Sequence, residues 1–183
     1  MPDVDFGLLR RRIAESAFCT WEALRSAHPD ETFYAFALHT IDDAVGINPS
    51  ANTEQAFQRA CKKYQSDAAH LAWLRSVNID ATASLNGDHR WSAFDWEFEC
   101  AESECFDAVN ELINNRGQGF SDDNDPLDFV RFKAGVLASM ALALGDLNRQ
   151  GFFGSGSDRE SVMVFCSIAH SECTEWFEEA SGG

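Results

Sequence analysis

The chain has 183 residues, of which 14 are Lys or Arg and 30 are Asp or Glu, so its formal net charge at pH 7 is −16 with neutral histidines. This length suits a single domain over residues 1–183 with a substantial core. An apolar fraction of 45% and an aromatic fraction of 12% exclude a disordered acidic tail. The acidic balance argues against direct nucleic-acid binding, which needs Lys and Arg to neutralise phosphates, and favours a basic protein partner.

The cysteines and the apolar stretches indicate the cellular compartment in which the protein is expected. The six cysteines are dispersed and form no C-x-x-C pair, a pattern that predicts reduced thiols in a cytosolic protein. The first residues lack the basic start and apolar stretch of a secretory signal. The longest apolar stretch, residues 134–145, is shorter than the roughly 20 residues of a spanning helix. We therefore expect a cytoplasmic protein that does not bind a membrane.

The first third of the chain predicts a helix and a hairpin. From Phe6 to about Ser26, apolar residues recur every three or four positions, which is typical of an amphipathic helix. Residues 32–40 alternate large apolar side chains and predict a strand buried mainly on one face. Asp42 and Asp43 supply a turn before residues 44–47, so we expect a β-hairpin that residues 48–52 terminate.

A second helical region follows the hairpin. Asn52 with Gln55 three residues later resembles a capping box. Helical spacing then continues almost to Ser76, with a division at residues 66–67 as an alternative. Residues 78–90 contain the turn signal Asn-Gly and predict an exposed connection.

Residues 91–100 allow two interpretations. Phe94, Trp96 and Phe98 alternate with acids, which predicts a strand with aromatic rings on one face and carboxylates on the other. The competing interpretation has Ser92 and Asp95 capping one helical turn before a shorter strand. In both, the acidic side chains face water.

The last third predicts two helices, a strand and a final helix. Helices are expected at residues 103–115 and from Asp125 to Leu147, the second being the central core helix. Residues 161–168 form a continuous apolar run that predicts an interior strand, and Ser171 caps a last helix. This order predicts an α+β domain with a small, mainly antiparallel sheet packed against several helices. The residues expected in its core are Trp21, Phe36, Phe57, Leu137, Met140 and Phe165.

Motifs that would carry catalysis are absent from the sequence. No His or Cys pair has zinc-ligand spacing, so we predict no metal, no cofactor and no catalytic residue. Cys166 lies in an apolar strand and is expected to be a core thiol. The alternative function is a small hydrolase or transferase with a site where His39 and His170 meet at the sheet edge.

The strongest charge feature is regional. Residues 91–128 hold eleven acids against Arg116 alone and contribute −10 of the net −16. Such a surface either keeps the fold soluble or steers a cationic protein toward it. On the second interpretation, a tryptophan serves as an aromatic anchor. The predicted partner-binding residues are Trp91, Asp95, Trp96, Glu97, Glu99, Glu102, Glu104, Asp122, Asp123 and Asp125.

Three segments together resemble a known family. They are the aromatic stretch at residues 33–40, the Asn-Pro-Ser-Ala-Asn-Thr-Glu stretch at residues 48–54 and Arg-Trp-Ser-Ala-Phe-Asp-Trp at residues 90–96. They resemble the bacterial DUF4303 family over nearly the whole chain, although Ala93 stands where a proline is expected. The resemblance carries no catalytic residue over. By analogy with small proteins encoded beside polymorphic toxins, it implies an immunity or antitoxin protein that neutralises a cognate basic toxin, for example a nuclease.

Overall fold

The computed structural model describes residues 4–84, 89–117, 126–154, 156 and 161–169. Its elements, in chain order, are α1 (Phe6–Ala27), β1 (Phe33–Ile41), β2 (Asn48–Thr53), α2 (Glu54–Ser66), α3 (Ala68–Ser76), α4 (Ala81–Ser84), β3 (Phe98–Glu99), a 3-10 helix (Ser103–Phe106), α5 (Asp107–Gly117), α6 (Pro126–Arg149) and β4 (Met163–Ala169). The predicted α+β class is confirmed. The helix predicted from Ser171 lies outside the described residues.

The described strands form one mixed sheet in the order β3-β2-β1-β4. β1 pairs antiparallel with β2 and parallel with β4, and β2 pairs antiparallel with β3. β1 is therefore flanked on both edges, and only its last residue is exposed. The prediction that β1 is buried mainly on one face is wrong, because helices and loops cover both faces of the sheet.

Two hydrophobic clusters lie on opposite faces of the sheet. On the first face, Phe36 and Leu38 of β1 pack with residues of α1 and α6, including Trp21 and Met140. On the second face, Ala37 of β1 packs with side chains of α2, β4 and the 91–97 segment, namely Phe57, Phe165, Ala93 and Trp96. The first cluster is the main core, and the second is smaller.

The core residues expected from the sequence are largely confirmed. Trp21, Phe36, Phe57, Met140 and Phe165 are buried. Leu137 is only half-buried, because it packs at the periphery of the main core. β4 is covered on both faces as predicted, although it lies at one end of the described sheet.

The hairpin differs from its prediction. The second strand is β2, built from the Asn-Pro-Ser-Ala-Asn-Thr stretch that was expected to end the hairpin, and residues 44–47 form the connection. The polar residues of β2 suit a strand here because Asn52 Nδ2 donates to the Tyr34 hydroxyl at 2.9 Å. The N-cap of α2 is Thr53, whose hydroxyl accepts from Ala56 N at 3.0 Å, and not Asn52. The break between α2 and α3 at Asp67 agrees with the alternative prediction that the helix divides at residues 66–67.

The 91–100 segment agrees with the competing interpretation only in its shorter strand, because residues 92–95 form a hydrogen-bonded turn and not a capped helical turn. A turn closed by Asp95 N donating to Ser92 O at 3.0 Å precedes β3, which has only two residues. The longer alternating strand is wrong. Phe98 is buried and Glu99 is exposed. As predicted, the aromatic side chain therefore points to the core and the acidic side chain to solvent.

The cysteine prediction is also wrong in one respect. Cys19 of α1 and Cys105 of the 3-10 helix form a disulfide with a Cα–Cα distance of 6.1 Å. The spacing of 86 residues gave no signal of this pair, which the packing of the 3-10 helix against α1 brings together. Cys61 and Cys100 carry free thiols, and Cys166 is buried.

Helices α1 and α6 are held together by a close approach and an ion pair. A Cβ on Gly135 would lie 2.2 Å from the Phe6 ring, so only glycine allows this contact. Arg10 Nε donates to Asp146 Oδ2 at 2.5 Å further along the interface. Among the residues that the structure describes, no helix is both long enough and apolar enough to cross a membrane.

Candidate functional site

The acidic segment lies along the β3 edge of the sheet. Asp95, Glu97, Glu99 and Glu104 are exposed, and Glu102 is half-buried. We call these five residues the acidic edge. The predicted partner-binding residues Asp122, Asp123 and Asp125 lie outside the described residues. The structure therefore places five of the eight predicted acids on or near one continuous stretch of chain from β3 into the 3-10 helix.

Only part of the acidic edge is neutralised. Arg59 of α2 donates to both carboxylate oxygens of Glu97, at 2.9 and 2.8 Å. Asp95 lies 3.7 Å from the His89 ring nitrogen. Within the described residues, Glu99 and Glu104 form no ion pair with Lys or Arg. The edge thus keeps uncompensated negative charge in water, where it can act on an approaching cation over about 8–10 Å.

The two tryptophans proposed as anchors have different positions. Trp96 is buried in the second-face cluster, and its Nε1 donates to the Arg90 carbonyl at 3.0 Å. Trp91 is 41% exposed, and its ring is perpendicular to the Tyr34 ring with 5.5 Å between ring centroids. Trp91 therefore has surface available for a partner, whereas Trp96 belongs to the core.

Arg90 organises the segment that carries these tryptophans. Its guanidinium lies 4.2 Å from the Tyr34 ring centroid and 4.8 Å from that of Phe57, and it forms an ion pair with Glu54. The Tyr34 hydroxyl donates to the Arg90 carbonyl at 2.9 Å, and burial raises the pKa of Tyr34 to about 12. Tyr34 thus stays a neutral hydrogen-bond donor, and the Arg-Trp-Ser motif has a structural role.

A second cluster joins residues that the sequence analysis did not connect. His39 of β1, Glu99 of β3 and Cys100 each place one donor atom within 4.8 Å of the other two. The distance between Cys100 Sγ and His39 Nε2 is 3.9 Å. His39 is only 4% exposed, and burial lowers its pKa to about 4. Burial also raises the pKa of the Cys100 thiol, and the Glu99 carboxylate adds to this effect.

The backbone explains how adjacent residues reach the same face. In a regular strand, Glu99 and Cys100 would point to opposite faces. Cys100 instead has φ +53°, in the left-handed region, while its backbone N still donates to the Pro49 carbonyl at 2.9 Å. Such backbone strain in a residue other than glycine is frequent at functional sites. No spacing in the sequence could have revealed this cluster, since strand pairing and one unusual φ create it.

The other residues for which the sequence suggested a chemical role either lie away from this cluster or fall outside the described residues. Cys166 is fully buried in the main core, as expected for a core thiol. His170, the predicted partner of His39, lies outside the described residues. His39 itself pairs with Asn48 of β2 and Ser167 of β4 in the sheet.

Comparisons with known proteins identify the family. Residues 13–180 match the model of the "Domain of unknown function (DUF4303)". The chain therefore belongs to the DUF4303 family, as the sequence resemblance predicted. No curated protein and no solved structure matches the chain.

Proposed function

We propose that this chain is a non-enzymatic immunity protein that binds and neutralises a basic toxin domain, for example a nuclease, through the acidic edge. The observation that carries the proposal is that Asp95, Glu99 and Glu104 are exposed in one segment, and that Glu99 and Glu104 form no ion pair with Lys or Arg among the described residues. An acidic surface accelerates encounter with a cationic protein and disfavours acidic competitors. The same charge repels nucleic acid, so the partner is a protein.

Trp91 supplies the second part of the proposed interface. Charge alone mainly sets the association rate, whereas buried aromatic side chains contribute most to the lifetime of a complex. Trp91 lies four residues before Asp95, and its ring contacts the Tyr34 ring and the Arg90 guanidinium. A ring fixed in this way loses little conformational entropy when a partner covers its exposed face.

The enzymatic alternative, a hydrolase or transferase at His39 and His170, has less support. A general base must reach the proton that it removes from a substrate. His39 is 4% exposed and packs against the Phe94 ring, with 4.6 Å between ring centroids. The described residues around His39 therefore favour a binding function over catalysis at this position.

Growth rescue tests the proposed function. A candidate basic toxin domain, taken from a neighbouring gene of this family, is expressed from an inducible promoter, alone and together with this chain. We expect the chain to restore growth and to copurify with the domain. The matched variants are Asp95→Lys with Glu104→Lys on the acidic edge, and Glu22→Lys with Asp43→Lys at exposed positions elsewhere. Rescue that fails only in the edge variant supports the proposal, and growth arrest that persists with well-expressed wild-type chain contradicts it.

A further inference from the structure

We propose that His39, Glu99 and Cys100 form a binding site for Zn²⁺, with the fourth coordination position left to water or an external donor. Glu99 also belongs to the acidic edge, but the metal site is argued from the geometry of the three donor atoms and does not rest on the immunity function. The inference starts from the donor set, since an imidazole nitrogen, a carboxylate oxygen and a thiolate are the three side-chain ligand types that zinc prefers. Three protein ligands with one open position are the composition of known catalytic zinc sites, so three such donors suffice to hold the ion.

The distances between the three donor atoms suit tetrahedral coordination of Zn²⁺ if the donor atoms move slightly closer together. With Zn–S of about 2.3 Å and Zn–N of about 2.0–2.1 Å, tetrahedral ligands lie roughly 3.6 Å apart. The Cys100 Sγ to His39 Nε2 distance is 3.9 Å, and all three donor atoms lie within 4.8 Å of one another. Glu99 and Cys100 are exposed, so their side chains can close on the ion without disturbing the core.

The backbone conformation lets the adjacent residues Glu99 and Cys100 both contribute a ligand. His39 is fixed by the central strand, with neighbours on both sides. Cys100 is held by its hydrogen bond to Pro49 O in a left-handed conformation that ordinary strand geometry would not give. One rigid ligand from β1 therefore faces two ligands at the end of β3, which is the preorganisation that a metal site requires.

A buried hydroxyl provides an independent observation. Ser50 is fully buried, and its Oγ has no hydrogen-bond partner in the described structure. Ser50 lies directly opposite Glu99 in the β2–β3 pair, and therefore on the face that Glu99 shares with His39. Buried polar groups without a partner are rare and call for a water, an ion or a ligand nearby. A metal-bound water or an ordered Glu99 carboxylate would satisfy Ser50 as an outer-shell partner.

Cobalt and zinc titrations test the site. The full chain is treated with a chelator, dialysed and titrated with Co²⁺, and Zn²⁺ is then added in competition. We expect one Co²⁺ per chain with a thiolate charge-transfer absorption, which Zn²⁺ abolishes. Cys100→Ser removes this absorption and weakens Zn²⁺ binding by roughly 100-fold or more, because even outer-shell groups contribute about 10–100-fold.

Matched variants keep the result interpretable. Cys61→Ser removes another free thiol, and Glu104→Gln removes another exposed acid of the same segment. Both should bind Zn²⁺ as the wild type does, whereas Glu99→Gln should weaken binding. Cys100 and Glu99 are exposed, so these variants keep the fold, which circular dichroism checks. No Zn²⁺ uptake by the wild type, or uptake unchanged in Cys100→Ser, would overturn the proposal.

Discussion

The Arg90 guanidinium lies over the Tyr34 ring at 4.2 Å, while the Tyr34 hydroxyl donates to the backbone carbonyl of the same arginine at 2.9 Å. This reciprocal contact fixes the 90–96 segment on the second face of the sheet. Trp96 Nε1 donates to the same carbonyl, so Trp96 turns inward and Trp91 stays at the surface. The arrangement connects the family motif to the position of the proposed anchor.

Arg90→Ala should lower the free energy of unfolding by about 2–3 kcal/mol. It removes contacts with three aromatic rings, each worth about 0.5–2 kcal/mol, and the partly buried ion pair with Glu54. Arg90→Lys keeps the charge but loses the planar stacking, so about 1 kcal/mol is expected. Urea denaturation measures both. Arg75→Ala, at an exposed position, is the control. A loss below about 0.5 kcal/mol in Arg90→Ala would show that Arg90 does not hold the segment.

Gly135 and Phe6 should show coupled effects on stability. In the wild type, Gly135→Ala forces the Phe6 ring to move, because the new Cβ would lie 2.2 Å from it. We expect a loss of about 1–3 kcal/mol, the usual cost of overpacking. In a Phe6→Ala background, the same change should instead stabilise α6 by up to about 1 kcal/mol through helix propensity. Denaturant melts of the four proteins form a double-mutant cycle, and additive effects would contradict the contact.

His39 should make the apoprotein less stable in acid. Its pKa is about 4 in the folded state, against about 6.5 in an unfolded chain. Between these values the unfolded state binds more protons, so the free energy of unfolding falls as the pH is lowered from 6.5 to 4, by about 3 kcal/mol in total. The measurement is denaturation against pH with chelator present. His39→Gln should remove this part of the pH dependence, and an unchanged slope in that variant would contradict it.

The Cys19–Cys105 disulfide should stabilise the folded state. It closes a long loop, with a sequence separation of 86, and such cross-links typically contribute about 2–4 kcal/mol. We expect Cys19→Ser with Cys105→Ser to lose this amount, while Cys61→Ser loses much less. Thiol titration of unfolded protein, with and without reductant, checks the bond directly. Equal thiol counts in the two conditions would show that the pair is reduced.

The sequence predicted the helices well and the strands less well. α1 and α6 carry long stretches of apolar periodicity, and their ends show capping or proline signals. The local sequence is therefore enough to predict both helices. The sequence of β2 does not predict a strand, because Pro49 and the asparagines are typical of turns. It becomes a strand because β1 and β3 lie on either side and Asn52 finds the Tyr34 hydroxyl. That information is tertiary and has no local pattern.

The candidate sites were predictable to different degrees. The acidic edge is a property of composition, so eleven acids in one segment reveal it without a structure. The inward position of Trp96 and the outward position of Trp91 depend on hydrogen bonds to Arg90 and could not be read from an alternating pattern. The His39–Glu99–Cys100 cluster depends on sheet order and on the positive φ of Cys100, which sequence spacing does not encode.

The most direct test of the proposed function is the association rate with a basic toxin domain that the chain neutralises in the growth assay, measured by stopped flow over a range of salt concentrations. Asp95→Lys with Glu104→Lys is compared with Glu22→Lys plus Asp43→Lys, which changes the net charge equally at exposed positions outside the acidic edge. We predict association about threefold slower or more at low salt, with a weaker salt dependence, in the edge variant alone. Equal rates in the two well-folded variants would contradict the claim that the acidic edge is the binding surface.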